Sequence, residues 1–255
     1  MGLSPEEFAA AAAEVGAYCA GLVAPGMRLG LGSGRMATAF IAALQPRIEA
    51  GLRVQGLCTS EATESVAMAA GVEILASADG LLDVDIDGAD EYDLALNLSK
   101  GGGGALLREK VVAQRSRRFW VVADSTKQVN QLATRHPLAA EILPFDWEGT
   151  AALCQARLSC RPVLREMDGY PFRTDNGNYV IDLHFPSGLA DPEAVAGGLE
   201  GIAGVLGHGL FLGLATAAVI FDGRTVQVLG DLNAEGAYSA GAESKDPSWS
   251  PDSGD

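Results

Sequence analysis

Up to about residue 130, short apolar runs each break into a glycine- or hydroxyl-rich loop, and an amphipathic stretch of helical length follows. MRLGLGSGR reads as a strand entering a glycine loop, and MATAFIAALQPRI as the helix after it. RVQGLC is the next strand, and Ser60 is placed to cap a helix, EATESVAMAA, that ends at Gly71. LLDVDIDGADE is a strand breaking into a turn, GALLREKVVAQRS a helix, and RFWVVADS a fourth strand. Ahead of these, Ser4-Pro5-Glu6-Glu7 opens an alanine-rich helix that should stop near Pro25-Gly26. Four rounds of strand, loop and helix within the first 125 residues predict a parallel α/β sheet.

Past residue 130 the rhythm changes. HPLAAEILPFDW reads as a helical stretch, and RPVLREMDGYPFRTDNGNYVIDLHF as a hairpin region turning at Asn176-Gly177. DPEAVAGGLEGI is a further helix, so residues 130–205 are expected to form a small α+β domain. GLFLGLATAAVIFDGRTVQVL returns to strands, and residues 206–233 should rejoin the first sheet begun by residues 1–129. From residue 234 the chain reads as a disordered acidic tail.

Composition narrows the function classes. With 48% hydrophobic and 20% charged residues the chain can bury a substantial core, yet its apolar runs are too short and glycine-broken to span a membrane. MGLSPEEF has no basic segment ahead of an apolar run, so no secretory signal is expected, and Glu6 breaks the myristoylation pattern. Four cysteines without a CxxC pair and three dispersed histidines give no zinc pattern and suggest reduced thiols in the cytoplasm. The net charge of −15 argues against nucleic acid or an anionic membrane as partner. The last 25 residues supply −5 of it, six acids against Lys245.

Three loops carry candidate chemistry. Gly30-Leu31-Gly32-Ser33-Gly34 lies between strand and helix, where backbone N–H groups can hold an anion such as phosphate. A dinucleotide fingerprint would need a third glycine at Arg35 and an acid closing the next strand, which instead ends Leu57-Cys58-Thr59. A merely tight turn stays open. Lys100-Gly101-Gly102-Gly103-Gly104 runs into the helix carrying Arg108, Glu109 and Lys110; that context favours backbone approaching a ligand over a linker. No Walker pattern is present.

The third loop puts six carboxylates between Asp83 and Asp93. Asp83, Asp85, Asp87 and Gly88 match the first half of a calcium loop, but position twelve is Leu94 where a bidentate Glu is needed. A solvated acidic turn would account for Asp83, Glu91 and Asp93. Asp87 and Asp90 follow a strand end, where α/β sheets place ligands, and crowded carboxylates there have coupled, shifted ionisation suited to acid–base work.

GLGSG (30–34), TSEAT (59–63), IDGADE (86–91), KGGGGALLREK (100–110), ADSTK (123–127) and TDNGN (174–178) occur in an order that resembles the type A ribose-5-phosphate isomerase family, over most of residues 25–215. The resemblance implies a Rossmann-like α/β domain with the α+β domain inserted, assembled as homodimers or homotetramers. It implies interconversion of ribose 5-phosphate and ribulose 5-phosphate through an enediol, with a sugar phosphate as the small-molecule partner and no cofactor or metal. Glu109 would be the base, Lys100 would steady the enediolate oxygen, and Asp87 and Asp90 would handle hydroxyl protons and ring opening. Gly101, Gly102 and Gly103 would approach the substrate, and Thr59 and Ser60 would line the sugar pocket, although Ser60 also reads as a plain helix cap. Gly32, Ser33 and Gly34 would form the first loop, and Lys127 a phosphate contact.

The chain departs from that pattern at the phosphate end. The family loop usually reads GxGTGST; here Arg35 and Met36 replace its Ser–Thr pair. Ala12 occupies the region of a lysine often found in the first helix, and Thr216 stands where an acid commonly follows Ala. Either Arg35 clamps the phosphate by a different geometry, or Met36 makes that end apolar for another sugar or sugar acid. A non-catalytic sugar-phosphate-binding relative is the rival from another class.

Overall fold

The computed structural model describes residues 4–77 and 79–236, so the tail reading from residue 237 onward lies outside the described residues. Ser4 and Glu7 close a reciprocal capping box at the start of α1 (Pro5–Leu22), as the opening four residues predict. The first half continues with β1 (Arg28–Leu31), α2 (Arg35–Glu49), β2 (Gln55–Cys58), α3 (Glu61–Ala69) and β3 (Glu73–Ile74). Then come β4 (Val84–Gly88), β5 (Glu91–Tyr92), β6 (Leu98–Ser99), α4 (Leu106–Gln114) and β7 (Phe119–Asp124). The second half runs β8 (Leu138–Ile142), α5 (Trp147–Leu158), β9 (Arg161–Leu164), β10 (Glu166–Met167), β11 (Tyr170–Pro171) and β12 (Tyr179–His184). It ends with α6 (Pro192–Glu200), β13 (Val205–His208), β14 (Leu210–Phe211), β15 (Ala217–Phe221) and β16 (Val226–Gly230).

Seven strands form the main sheet in the order β16-β15-β7-β4-β1-β2-β3, with every neighbour parallel except the β15–β16 hairpin. β15 pairs with β7 and β16 with β15, which puts residues 217–221 and 226–230 in the same sheet as β1. The fold is α/β. Its strand order reverses between β1 and β4, and such a switch point opens a crevice at the carboxyl ends of both strands.

β4 shows why the crevice is polar. Val84 and Ile86 pack into the cluster of Leu29, Leu31, Phe40, Ile41 and Trp120 under α1 and α2. Asp85 and Asp87 alternate to the opposite face, towards α4.

The second sheet is antiparallel, β13-β8-β12-β9, with its own apolar cluster that includes residues of α5 and α6. Here one expectation fails. HPLAAEILPFDW is not helical: Leu138–Ile142 is a strand of this sheet, and all five residues are buried. The helix begins later, at Trp147. The turn at Asn176-Gly177 is present; Gly177 has φ 78°, and Arg173 bridges to Tyr179 across it.

Candidate active site

The floor of the crevice depends on missing side chains. A Cβ on Gly32 would fall inside the carboxyl group of Asp87, so only glycine lets β1 run beside that aspartate. Gly34, at φ 87°, turns the chain into α2. The Ser33 N–H donates to Asp87 Oδ1 (3.0 Å), as does Gly88 N–H (2.6 Å), and the Ser33 hydroxyl donates a short hydrogen bond to Glu109 Oε1.

Lys100 completes the cluster. Its Nζ lies 3.0 Å from Asp87 Oδ2 and 3.3 Å from Glu109 Oε2, and donates to the Gly88 carbonyl (2.5 Å). All three side chains are buried. Burial and the Glu109 charge push Asp87 up to about 7, against the pull of Lys100. For Lys100, burial favours the neutral amine, but the Asp87 and Glu109 carboxylates outweigh it and hold the ammonium above the usual lysine range.

The glycine run after Lys100 wraps over this cluster. Gly102 N–H donates to Asp90 Oδ2 (2.7 Å), and Arg165 reaches from the second sheet to the carbonyls of Gly101 (2.7 Å) and Gly102 (3.1 Å). Phe172 packs so closely on Gly104 that a Cβ there would collide with its ring. A cavity of about 200 Å³ results, its walls including Ser33, Asp90, Lys100, Gly102 and Glu109, with Arg35 and Lys127 also lining it. Asp124 caps the short turn that presents Lys127, accepting from Thr126 N–H (2.9 Å).

The structure thus brings together Asp87, Asp90, Lys100, Glu109, Ser33, Gly34, Arg35, Gly101, Gly102, Gly103 and Lys127. Thr59 is not among them. It is fully buried, its hydroxyl donates to the Leu31 carbonyl (3.2 Å), and it is not on the wall of this cavity. Ser60 caps α3 and also faces a second cavity that shares Ser33, Gly34 and Gly103 with the first. Met36 touches the first cavity, but only 7% of it is exposed and the rest belongs to the core under α1.

Sequence reasoning missed Phe8, whose ring lies 3.9 Å from the Arg35 guanidinium carbon and which also lines the cavity. Helical spacing held the signal. Ala12 is buried in the core, and Phe8 sits one turn earlier on the same helix. Arg165 and the Arg108–Asp175 pair (3.5 Å) were also missed, because they join segments far apart in sequence.

The acidic segment corrects a second expectation. Glu91 is not solvated: it is fully buried and accepts from the N–H groups of Ala133 (2.5 Å), Arg135 (2.6 Å) and His136 (3.0 Å). Asp83 accepts from Arg28 N–H (2.7 Å), and Asp93 from the N–H groups of Ala95 and Asn97 (both 2.9 Å). Thr216, without an account from sequence, bonds the Phe119 carbonyl through both N–H (2.9 Å) and hydroxyl (3.2 Å) where β15 starts.

Behind Glu109, Lys110 is largely buried beside His208, with Nζ 3.3 Å from Nδ1, and both Lys100 (5.5 Å) and Lys110 (5.1 Å) lie against the Phe211 ring. Burial lowers Lys110 to about 8, opposed by Glu200; burial and Lys110 lower His208 to about 4. Among the described residues no group of three or more His, Cys, Asp or Glu is arranged to hold a metal ion, and no helix is long and apolar enough to cross a membrane.

Fold and cavity together define an α/β protein with a polar cavity at the sheet's switch point. The family model for ribose 5-phosphate isomerase A (phosphoriboisomerase A) matches residues 55–224. A ribose-5-phosphate isomerase A of Methylorubrum extorquens is 46% identical over 223 residues, covering 83% of this chain and 93% of that protein. A solved ribose 5-phosphate isomerase from Plasmodium falciparum superposes with TM-score 0.84 at 30% identity, covering 87% of this chain and 98% of the other. A D-ribose-5-phosphate isomerase solved in complex with phospho-erythronic acid gives 0.83 at 29%, covering 88% and 99%. The chain belongs to the ribose 5-phosphate isomerase A family.

Proposed function

We propose that this protein interconverts ribose 5-phosphate and ribulose 5-phosphate through an enediol, as a step of the non-oxidative pentose phosphate pathway. The observation that carries the mechanism is the Lys100 ammonium seated between the Asp87 and Glu109 carboxylates at the base of a sugar-sized cavity. Glu109 takes the proton from C2 of the open-chain aldose and returns it to C1. Lys100 faces the oxygen that gains negative charge as the enediolate forms, a preorganised and buried donor. Asp87, poised near neutrality, and Asp90 move the hydroxyl protons and open the ring. Ser33 fixes the Glu109 carboxylate from the first glycine loop.

Arg35 and Lys127 line the same cavity, which supports a phosphorylated substrate. Met36 offers little surface there, so a phosphate end reshaped for an apolar group is the weaker reading. The phospho-erythronic acid bound by a solved relative carries a phosphate and an acid group on a short sugar chain, matching both ends of this arrangement. Four free cysteines, three of them buried, suit a reducing cytoplasm. A homodimer or homotetramer is the assembly we expect, measurable by sedimentation equilibrium.

The test is direct. EDTA-treated protein should convert ribose 5-phosphate to ribulose 5-phosphate and leave free ribose nearly untouched, because remote phosphate binding energy lowers the barrier at the reacting carbons. Equal turnover of free ribose, or none of the phosphate ester, would sink this reading.

A further inference from the structure

Of the six acids between Asp83 and Asp93, five have hydrogen-bonding partners described above. Asp85 has no comparable partner: it is fully buried, and among the described residues neither carboxyl oxygen makes a hydrogen bond of ordinary geometry, the adjacent Ile86 N–H giving its ionised form only minor support. Buried polar groups without partners are uncommon in folded proteins, and an apolar residue would fit such a position at lower cost.

The backbone is shaped around it. Asp85 stands opposite Gly30 in the β1–β4 register, and a Cβ on Gly30 would come within 2.5 Å of Asp85 Oδ1 and 2.6 Å of Val112 Cγ1. Two residues further on the same device recurs, with Gly32 vacating space for Asp87. Asp85 and Asp87 therefore occupy successive positions on one sheet face. On α4, Val112 follows Glu109 by three residues and shares its face, so the buried acid lies one rung behind the Asp87–Lys100–Glu109 cluster.

We propose that Asp85 is a positioning residue that holds a proton behind the reactive cluster, so that one ammonium never has to balance three carboxylates while the enediolate forms. The proposal rests on the isomerase reading above. The charged groups around it are Asp87 on its own strand, Glu109 on α4, and Lys100 ahead of the glycine run; β1 and β7 offer only Gly30 and Phe119 in register. Burial, then Asp87 and Glu109, hold the Asp85 carboxyl well above the usual carboxylate range, with Lys100 opposing. When Asp85 does ionise, at alkaline pH, it adds a negative charge facing the developing enediolate and suppresses turnover.

The experiment compares wild type with Asp85→Asn, which keeps the shape and cannot ionise, and with Asp85→Ala should the amide fail to fold. The first readout needs no activity. Above about pH 4 the unfolded chain releases the Asp85 proton while the folded chain keeps it, so wild type loses stability relative to the variant as pH rises. The Tm advantage of the variant should be near zero around pH 4 and grow steadily towards alkaline pH. A difference that stays constant with pH would overturn the proposal.

The second readout is the pH profile of kcat/KM. Wild type should fall on the alkaline side; Asp85→Asn should match it near neutrality and exceed it roughly tenfold one pH unit above the wild-type alkaline midpoint. An alkaline limb unchanged in the variant would overturn Asp85's role. Wild-type protein without any turnover would count against the isomerase reading instead, and the Tm profile would still decide whether Asp85 keeps its proton.

Discussion

Gly32 and Asp87 occupy one space between β1 and β4: the glycine has no side chain, and the aspartate's carboxyl fills the vacancy. Gly32→Ala must displace Asp87, and with it the Lys100 ion pair. Overpacking of this kind costs on the order of 1–3 kcal/mol of stability. Turnover should fall more steeply than stability, by roughly 100-fold in kcat, since misplacing a reacting group by an ångström has that effect. Thermal unfolding and steady-state kinetics on one preparation separate the two.

At the other end of the cavity, Arg35 rests on Phe8, and Lys127 is presented by the turn that Asp124 caps. Arg35→Ala and Lys127→Ala should each raise KM for ribose 5-phosphate about tenfold or more, the loss of roughly one charge-assisted contact. Phe8→Ala should give a smaller rise of the same kind by freeing the guanidinium. Since the phosphate's binding energy also lowers the barrier, kcat should drop in the first two variants. An unchanged KM in both would remove the phosphate from this end.

Glu91 ties the loop at residues 133–136 to β5 through three backbone N–H groups. Glu91→Ala leaves those N–H groups and the buried Ser99 hydroxyl without their acceptor and should destabilise the protein by roughly 3 kcal/mol. The readout is the denaturant midpoint, with little change in KM, because Glu91 lies outside the cavity wall.

Lys110 carries a pH signature of its own. Its folded-state proton affinity is depressed to about 8 by burial, so between pH 8 and the lysine value of 10.5 the unfolded chain binds more protons than the folded one. Stability from this group therefore rises with pH across that window. Lys110→Met should stabilise the protein at neutral pH, and that gain should shrink between about pH 8 and 10.5, as followed by Tm. A gain that stays level across the window would contradict the assignment.

The sequence was most informative where chemistry and backbone geometry coincide. IDGADE, KGGGG and REK placed Asp87, Asp90, Lys100 and Glu109 at strand ends and helix starts, and the structure brings all four to one crevice. It was least informative about Leu138–Ile142. Leu, Ala and Glu favour helix, and nothing nearby shows that Glu141 is buried and bound by Thr174 (3.0 Å), Asn176 (3.0 Å) and Asn178 (2.7 Å) on a turn over thirty residues away. Thr59 is a related case, since the motif does not reveal that its hydroxyl bonds Leu31 on the neighbouring strand. Glu91 and Asp85 look alike as letters in an acidic run, and only the fold separates a carboxylate held by three backbone N–H groups and the Ser99 hydroxyl from one without a hydrogen bond of ordinary geometry.

The isomerase mechanism turns on Glu109 carrying the proton between the two carbons. The most direct measurement is wash-in of deuterium at C1 and C2 from heavy water, alongside turnover of ribose 5-phosphate, for wild type and Glu109→Gln. The variant should bind substrate with similar affinity yet lose exchange and turnover together, by a factor of about 10²–10⁴. Exchange persisting at near wild-type rate in Glu109→Gln would show that another group moves that proton, and the mechanism built on the Lys100–Glu109 pair would fall.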